Sequence, residues 1–195
     1  MSRFMMKMRI RVTRRLKQAA RRAAPRARSG SAAIEFAFVA PVFFVFLMGT
    51  METGIMYLGN FVLQNAVNDA ARQIRTGQVA QNGTNQAQFR TIVCNSIAPL
   101  LACDANLQID VQSYTSFSAL NITNPITASG GLDPTLKNWS PGTVCSVVVV
   151  RAFYTWSVAT PLLTPFLTNM SNDHHLLSAA AAFRNEPYNT SVAGC

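Results

Sequence analysis

Histidine is almost missing from this chain of 195 residues: His174 and His175 are the two present, and they are adjacent. Successive residues of a strand point to opposite faces, so this pair makes a poor metal site and a poor partner for a cysteine nucleophile. None of the four cysteines stands at a zinc-ligand spacing. The chain also lacks a Gly-x-Ser-x-Gly elbow, a phosphate-cradling glycine loop and a dinucleotide fingerprint. With these starting points for chemistry gone, no catalytic residue, no metal and no cofactor is expected.

Charge is the second scarcity, and it is uneven. Eleven of the seventeen Lys and Arg precede Ser29, and from there on six basic residues face eight acidic ones, a net of 6 − 8 = −2. The formal charge of +9 therefore belongs to the amino-terminal tail, where Arg14, Arg15, Lys17, Arg21 and Arg22 fit a short helix. Such a tail touches the phosphates of nucleic acid or lipid, or it orients a membrane segment. A charge-free apolar run follows directly, so the topogenic flank is the preferred reading and nucleic acid the weaker one. Nucleic-acid binding would betray itself by strong salt dependence.

That run, Phe36 to Met51, is the one long apolar stretch, and beyond Glu52 it continues through Ile55, Tyr57, Leu58 and Phe61. Sixteen residues are short of the roughly twenty that cross a bilayer at 1.5 Å each, so a span must include Glu35 or reach past Glu52. A carboxylate at the bilayer centre costs about 2.5 to 3.5 kcal/mol on insertion scales, so Glu35 needs compensation. One compensation is a headgroup-level position beside Arg28. A secretory signal is the rival reading of the run, but Met48 to Gly54 offers no small-x-small cleavage triplet. The basic flank places the amino terminus in the cytoplasm and everything after about residue 58 outside.

Pro41 removes one backbone hydrogen bond within the run, and Gly49, Gly54 and Gly59 follow at intervals of five, which is not the Gly-x-x-x-Gly dimer spacing. They read as ordinary membrane-helix glycines or as a stretch that loosens when copies pack together. Leu58, Phe61, Val62, Ala66, Val67, Ala70 and Ile74 then form one side of an amphipathic helix, with Asn60, Gln64, Asn68, Arg72 and Arg75 opposite and Gly77 as C-cap. A nearly continuous helix from about Ser31 to Thr76 results.

Residues 78–86 read as a loop, followed by a helix capped by Asn85 with Gln88 three residues on and ended by Pro99. Alternating Leu107, Ile109 and Val111 predict a strand, and Ser116 to Gly142 a surface loop or weakly ordered excursion. Thr143 to Val158 predicts a central strand, Pro161 to Thr168 a short helix, and His175 to Arg184 the last strand. The fold class is α+β: a long amino-terminal, partly transmembrane helix followed by a small antiparallel sheet of three or four strands with short helices.

Cys94, Cys103, Cys145 and Cys195 lie on the side assigned to an oxidising compartment. Three connectivities exist; Cys94 with Cys103 and Cys145 with Cys195 is preferred, and buried free thiols are the alternative. Sequons at Asn82, Asn121, Asn138, Asn169 and Asn189 matter only in a eukaryotic secretory pathway.

Gly30-Ser31, then Glu35 and Phe36, the stretch Glu-Phe-Ala-Phe-Val-Ala-Pro, the later Glu52-x-Gly54 and the Arg184-Asn-Glu-Pro187 segment together resemble the TadE-like pseudopilins of the tight-adherence (Flp-type) pilus apparatus, which are type IV prepilin-like. Phe36 and the long head suit that class better than the short Flp pilins, which usually carry tyrosine after the glutamate. The resemblance implies cleavage by a prepilin peptidase between Gly30 and Ser31, with Glu35 and Phe36 as the assembly motif. It implies a cytoplasmic leader (1–30), a transmembrane and spine helix (31–76) and an extracytoplasmic α+β head (77–195). It also implies other pilins or pseudopilins and inner-membrane pilus assembly proteins as partners, a bacterial inner-membrane location with a periplasmic head, and a part in pilus biogenesis and surface adherence. The competing expectation is an uncleaved single-pass anchor carrying a periplasmic binding or enzymatic head. Whether the mature amino terminus is Ser31 or Met1 separates the two.

Overall fold

The computed structural model describes residues 26–98 and 100–188. The basic residues before position 26, together with Pro99, Asn189 and Cys195, lie outside the described residues. The chain forms two compact units, one ending at Leu47 and the other beginning at Met48.

A single helix, α1 (Arg26–Arg75), runs through both. From Phe36 to Leu47 its side chains are apolar on every side: Phe36, Phe38, Phe43 and Phe46 are all exposed, with Phe43 and Phe44 in edge contact at 5.6 Å. A helix apolar all round is stable where its surroundings are apolar too. Its most apolar eighteen-residue stretch has a mean hydropathy of 2.1 and no buried residue, long and apolar enough to cross a membrane. Pro41 sits inside this helix without an N–H to donate.

In the second unit α1 becomes the floor of a small domain. Leu63, Ala66, Val67, Ala70 and Ile74 are buried against the head. Leu58 and Phe61, expected on that face, are instead exposed. The correction has a local cause: the head approaches along the side carrying Gly59, where a Cβ would lie 3.3 Å from Leu177 and 3.4 Å from Leu101, and this turns Leu58 and Phe61 outward. Gly77 ends the helix with φ +79, its N–H bonding to the Ile74 carbonyl at 3.0 Å, a left-handed C-cap that glycine adopts without penalty.

The expected loop at 78–86 contains a helical turn, α2 (Gln78–Gln81), which buries Val79. Next comes α3 (Gln86–Ile97), opened by the expected capping box: the Asn85 side chain accepts from the Gln88 N–H, and the Gln88 side chain accepts from the Asn85 N–H, both at 2.9 Å. Phe89, Val93 and Ile97 are fully buried, with the Phe89 ring 5.0 Å from that of Trp139.

The described strands β1 (Leu107–Tyr114), β2 (Val147–Ser157) and β3 (His174–Arg184) make one antiparallel sheet in the order β1-β2-β3. The register pairs Val111 with Val150 and Val150 with Ala181, so β2 is central, as its unbroken valine run predicts. A 3-10 turn (Pro161–Leu163) and the short helix α4 (Thr164–Leu167) connect β2 to β3. Val148, Val150, Ala152 and Tyr154 face α1 and α3.

On the other sheet face the side chains of β1 and β2 are largely buried, while Ser178, Ala180 and Ala182 of β3 stay exposed. Gln108 and Asp110, which alternate with the apolar residues of β1, are 7% and 0% exposed. The cover is the segment 116–142, expected as a surface loop or weakly ordered excursion. It runs across the sheet, bridging Val111 to Trp139 and setting Leu136 against Phe153 and Leu176. Its own turns are tied by short-range bonds. The Thr135 N–H and hydroxyl both donate to Asp133, holding that carboxyl below its usual range.

Candidate functional site

The candidate processing and assembly segment lies at the start of α1, within the first unit. Gly30, Ser31, Glu35 and Phe36 are all exposed, Phe36 at 69%. Open space surrounds Gly30. Ser31 and Glu35 stand one helical turn apart, and the Ser31 hydroxyl donates to the Glu35 carboxylate at 3.1 Å. A neutral hydroxyl on one oxygen leaves much of a carboxylate's acceptor capacity open, since an ionised carboxylate offers about four lone-pair sites.

Glu52 makes a different use of its charge. It is 8% exposed, and the backbone N–H groups of Ala159 and Thr160 both donate to it, the second at 3.0 Å. Those amides begin the β2–β3 connection, so the carboxylate caps the turn and clamps it to the helix. One turn earlier Leu163 lies across Gly49, where even a methyl group would meet it at 2.4 Å. The sequence displays Glu52 as a break in an apolar run and as part of the Glu52-x-Gly54 motif, without its partners. A buried acid there requires N–H donors, and that requirement is the one available signal; its partners stand more than a hundred residues away.

At the far end of the helix the segment 184–187 closes the second unit. Asn185 is 1% exposed and donates through Nδ2 to the carbonyls of Pro141 and Thr143, at 3.0 and 2.9 Å. The Glu186 N–H donates to the Arg75 carbonyl at 2.9 Å, one of the helix-end carbonyls with no partner inside α1, while its carboxylate meets Arg75 Nε at 3.2 Å. Both members of that ion pair are about half exposed, so the backbone bond and buried Asn185 carry the attachment. Alongside, the Gln64 side chain meets both backbone groups of Ala180 on β3, accepting from its N–H at 3.3 Å and donating to its carbonyl at 3.1 Å. This covers an edge strand that is otherwise open to pairing with another chain.

An ion pair unforeseen from the sequence lies beneath the covering segment. Arg151 donates through Nη2 and Nε to Asp110 Oδ2 at 2.8 and 3.2 Å, and both side chains are buried. The Asn138 N–H and Nδ2 take the other oxygen at 2.9 and 2.7 Å, Gln112 adds a donor at 2.9 Å, and Arg151 reaches the Thr123 carbonyl at 3.2 Å. Each charge is met from several sides, which is the condition under which a buried pair is tolerated. The network holds the 116–142 segment to the sheet and makes it part of the fold.

Cys94 and Cys103 face each other in disulfide geometry, Cα atoms 5.4 Å apart. Cys145, in a left-handed turn at φ 64, is also disulfide-bonded, whereas its expected partner Cys195 lies outside the described residues. Among the described residues no three His, Cys, Asp or Glu side chains converge as metal ligands. His175 donates through Nδ1 to the Leu167 carbonyl and so fastens α4 to β3. Beside it lies an open groove of about 410 Å³ between Met56, Tyr57 and Asn60 of α1 and Phe166, His175 and Leu177.

The class defined by these features is a helix-anchored α+β protein. Residues 30–72 match the family model of TadE-like proteins, which covers the Gly30-Ser31 and Glu35-Phe36 motifs, the apolar run and Glu52. No curated protein and no solved structure matches the chain.

Proposed function

We propose that the chain is a pseudopilin-like minor subunit or assembly factor of a Tad (Flp-type) pilus, with a structural role in pilus biogenesis and surface adherence. In this reading α1 crosses the bacterial inner membrane with the basic leader in the cytoplasm and the head in the periplasm. A prepilin peptidase hydrolyses the Gly30–Ser31 bond, leaving a carboxylate on Gly30 and an α-amino group on Ser31. The single observation that supports this most is the exposure of Gly30-Ser31 and Glu35-Phe36 at the mouth of an apolar helix, inside the segment that matches TadE-like proteins.

Physical chemistry supplies the rest. Glycine weakens a helix interior by up to about 1 kcal/mol relative to alanine, so the helix at Gly30 is easily opened for a protease. The new amine, with an ordinary pKa near 8, is cationic at neutral pH. In an array, the amine of one subunit pairs with Glu35 of its neighbour, which compensates an acid at the membrane face and sets the register between copies. Partners in this reading are the peptidase, other pilins or pseudopilins, and inner-membrane pilus assembly proteins.

Amino-terminal sequencing of the protein purified from membranes tests the first step: Ser31 as the first residue is expected, and a mature protein beginning at Met1 favours an uncleaved anchor. Glu35→Ala tests the second. Insertion and cleavage are expected to persist while incorporation into pili falls by about tenfold or more, the factor that a loss of roughly 1.4 kcal/mol produces. Equal incorporation of mutant and wild type would remove the proposed role of Glu35.

A further inference from the structure

The connection between β2 and β3 carries two of the most exposed apolar side chains of the second unit, Leu162 at 69% and Phe166 at 82%. The sequence Pro161-Leu-Leu-Thr-Pro-Phe-Leu-Thr168 contains no charge. It does not extend freely into solvent: Leu163 rests on Gly49, and the Glu52 carboxylate holds the two amides that precede Pro161. Gly49 lies inside the charge-free run Phe36 to Met51, and its helical neighbours Met48 and Met51 are themselves about half exposed. Whatever medium surrounds the helix at this level therefore also surrounds residues 161–168.

We propose that this segment is a second membrane contact, a wedge whose Leu162 and Phe166 enter the leaflet on the head side of the bilayer. The inference rests on the reading of α1 as membrane-spanning. A span of about twenty residues starting at Phe36 ends near Ile55, about 9 Å beyond Gly49 at 1.5 Å per residue, so Leu163 sits inside the hydrocarbon edge. Irregular backbone at that depth is tolerated only when its polar groups are satisfied. Here Pro161 and Pro165 have no N–H, and Glu52 occupies those of Ala159 and Thr160. The Leu163 N–H donates to the Thr160 carbonyl at 2.9 Å and the Thr168 N–H to that of Thr164 at 3.0 Å. The hydroxyls of Thr164 and Thr168 turn inward to the carbonyls of Pro161 and Thr164. These polar groups are thus turned into the segment while Leu162 and Phe166 point out, and a lipid surface is the partner that rewards this arrangement by apolar burial. Through Glu52 and Gly49, such a wedge fixes the head against the membrane.

The test places a photoreactive benzoylphenylalanine, one position at a time, at Phe44, Leu162, Phe166 and Phe117 of the full chain in its native membrane. All four side chains are exposed, so folding is preserved. Lipid adducts are expected at 44, 162 and 166 and are expected to be lost at 117, on the segment that covers the sheet. Adducts at 44 but none at 162 or 166, crosslinks from 162 and 166 only to a second copy or another protein, or equal lipid labelling at 117 each overturn the wedge while leaving the span intact. Absence of lipid adducts at 44 overturns the span, and the wedge with it.

Discussion

The two halves of α1 each carry one glutamate, and the fold treats them in opposite ways. In the second unit Glu52 is buried, and two backbone amides from the β2–β3 connection meet its charge. In the first unit Glu35 is exposed, and among the described residues its hydrogen-bond donor is the Ser31 hydroxyl of its own helix. The difference teaches how to separate an acid that serves the architecture from one kept for an encounter. A carboxylate already met by fixed donors has little left to offer a partner, whereas one in an apolar setting with a single neutral donor still has most of its electrostatic demand outstanding.

Four sets of substitutions break or sharpen that contrast. The largest effect is expected from Asp110→Ala, which calibrates a fully internal acid: it strands the Arg151 guanidinium in a buried site and should lower stability by about 3 to 5 kcal/mol in a urea titration of the detergent-solubilised chain. Glu52→Gln comes next, with an expected loss of about 1.5 to 3 kcal/mol because charge-assisted bonds to two amides are weakened, and faster amide hydrogen exchange at Ala159 and Thr160. Glu35→Gln under the same conditions should change stability by less than about 0.5 kcal/mol, as an exposed substitution does. A Glu35 effect as large as that of Glu52 would erase the distinction. Between the effects of Glu52 and Glu35 fall those of the glycines. Gly49→Ala forces Leu163 aside and should cost about 1 kcal/mol, while Gly54→Ala, with open space around it, should gain up to about 1 kcal/mol of helix propensity, both read from thermal unfolding.

The glycines also show where sequence reasoning reached and where it stopped. Their regular spacing suggested a shared role in the membrane helix, yet Gly49 and Gly59 admit side chains of the head and Gly54 faces open space. Spacing along a helix gives the direction of a side chain but not its neighbour. The helix, its cap at Gly77, the capping box at Asn85 and the central valine strand were legible because each depends on residues within a few positions of one another. Leu58 and Phe61 were misassigned because a helix apolar on most sides has no clear polar face with which to orient it. The 116–142 segment was legible as a surface loop, but not its lie across the sheet, because Ser, Thr, Asn, Pro and Gly suggest a loop whether it faces water or a sheet. Its packing rests on Leu136, Trp139 and the bonds from Asn138 to Asp110, which have no periodic signature.

The candidate site divides in the same way. Gly30, Ser31, Glu35 and Phe36 were found because the motif is contiguous and stands at a sharp change from basic to apolar composition. Glu52, Asn185 and Glu186 were visible as residues of suggestive motifs, but their tasks in clamping a turn and ending a helix were not. The Asp110–Arg151 pair gave no local sign at all, since a lone charge in each of two strands looks like a solvent-facing position until the register places one opposite the other.

By itself, the sequence determined a membrane-length apolar helix behind a basic tail, a processing-like junction at its start, and strands able to form one antiparallel sheet. These follow from composition and from periods of two and 3.6, which act over short stretches of chain. Only the tertiary structure decided which helix face the head covers, that β1 and β2 are covered on the face turned away from α1, and that Glu52 is answered from within the head while Glu35 is not. Those outcomes depend on groups brought together from more than twenty and up to a hundred or more residues apart, where chain closure and packing select the partner and local pattern has no influence.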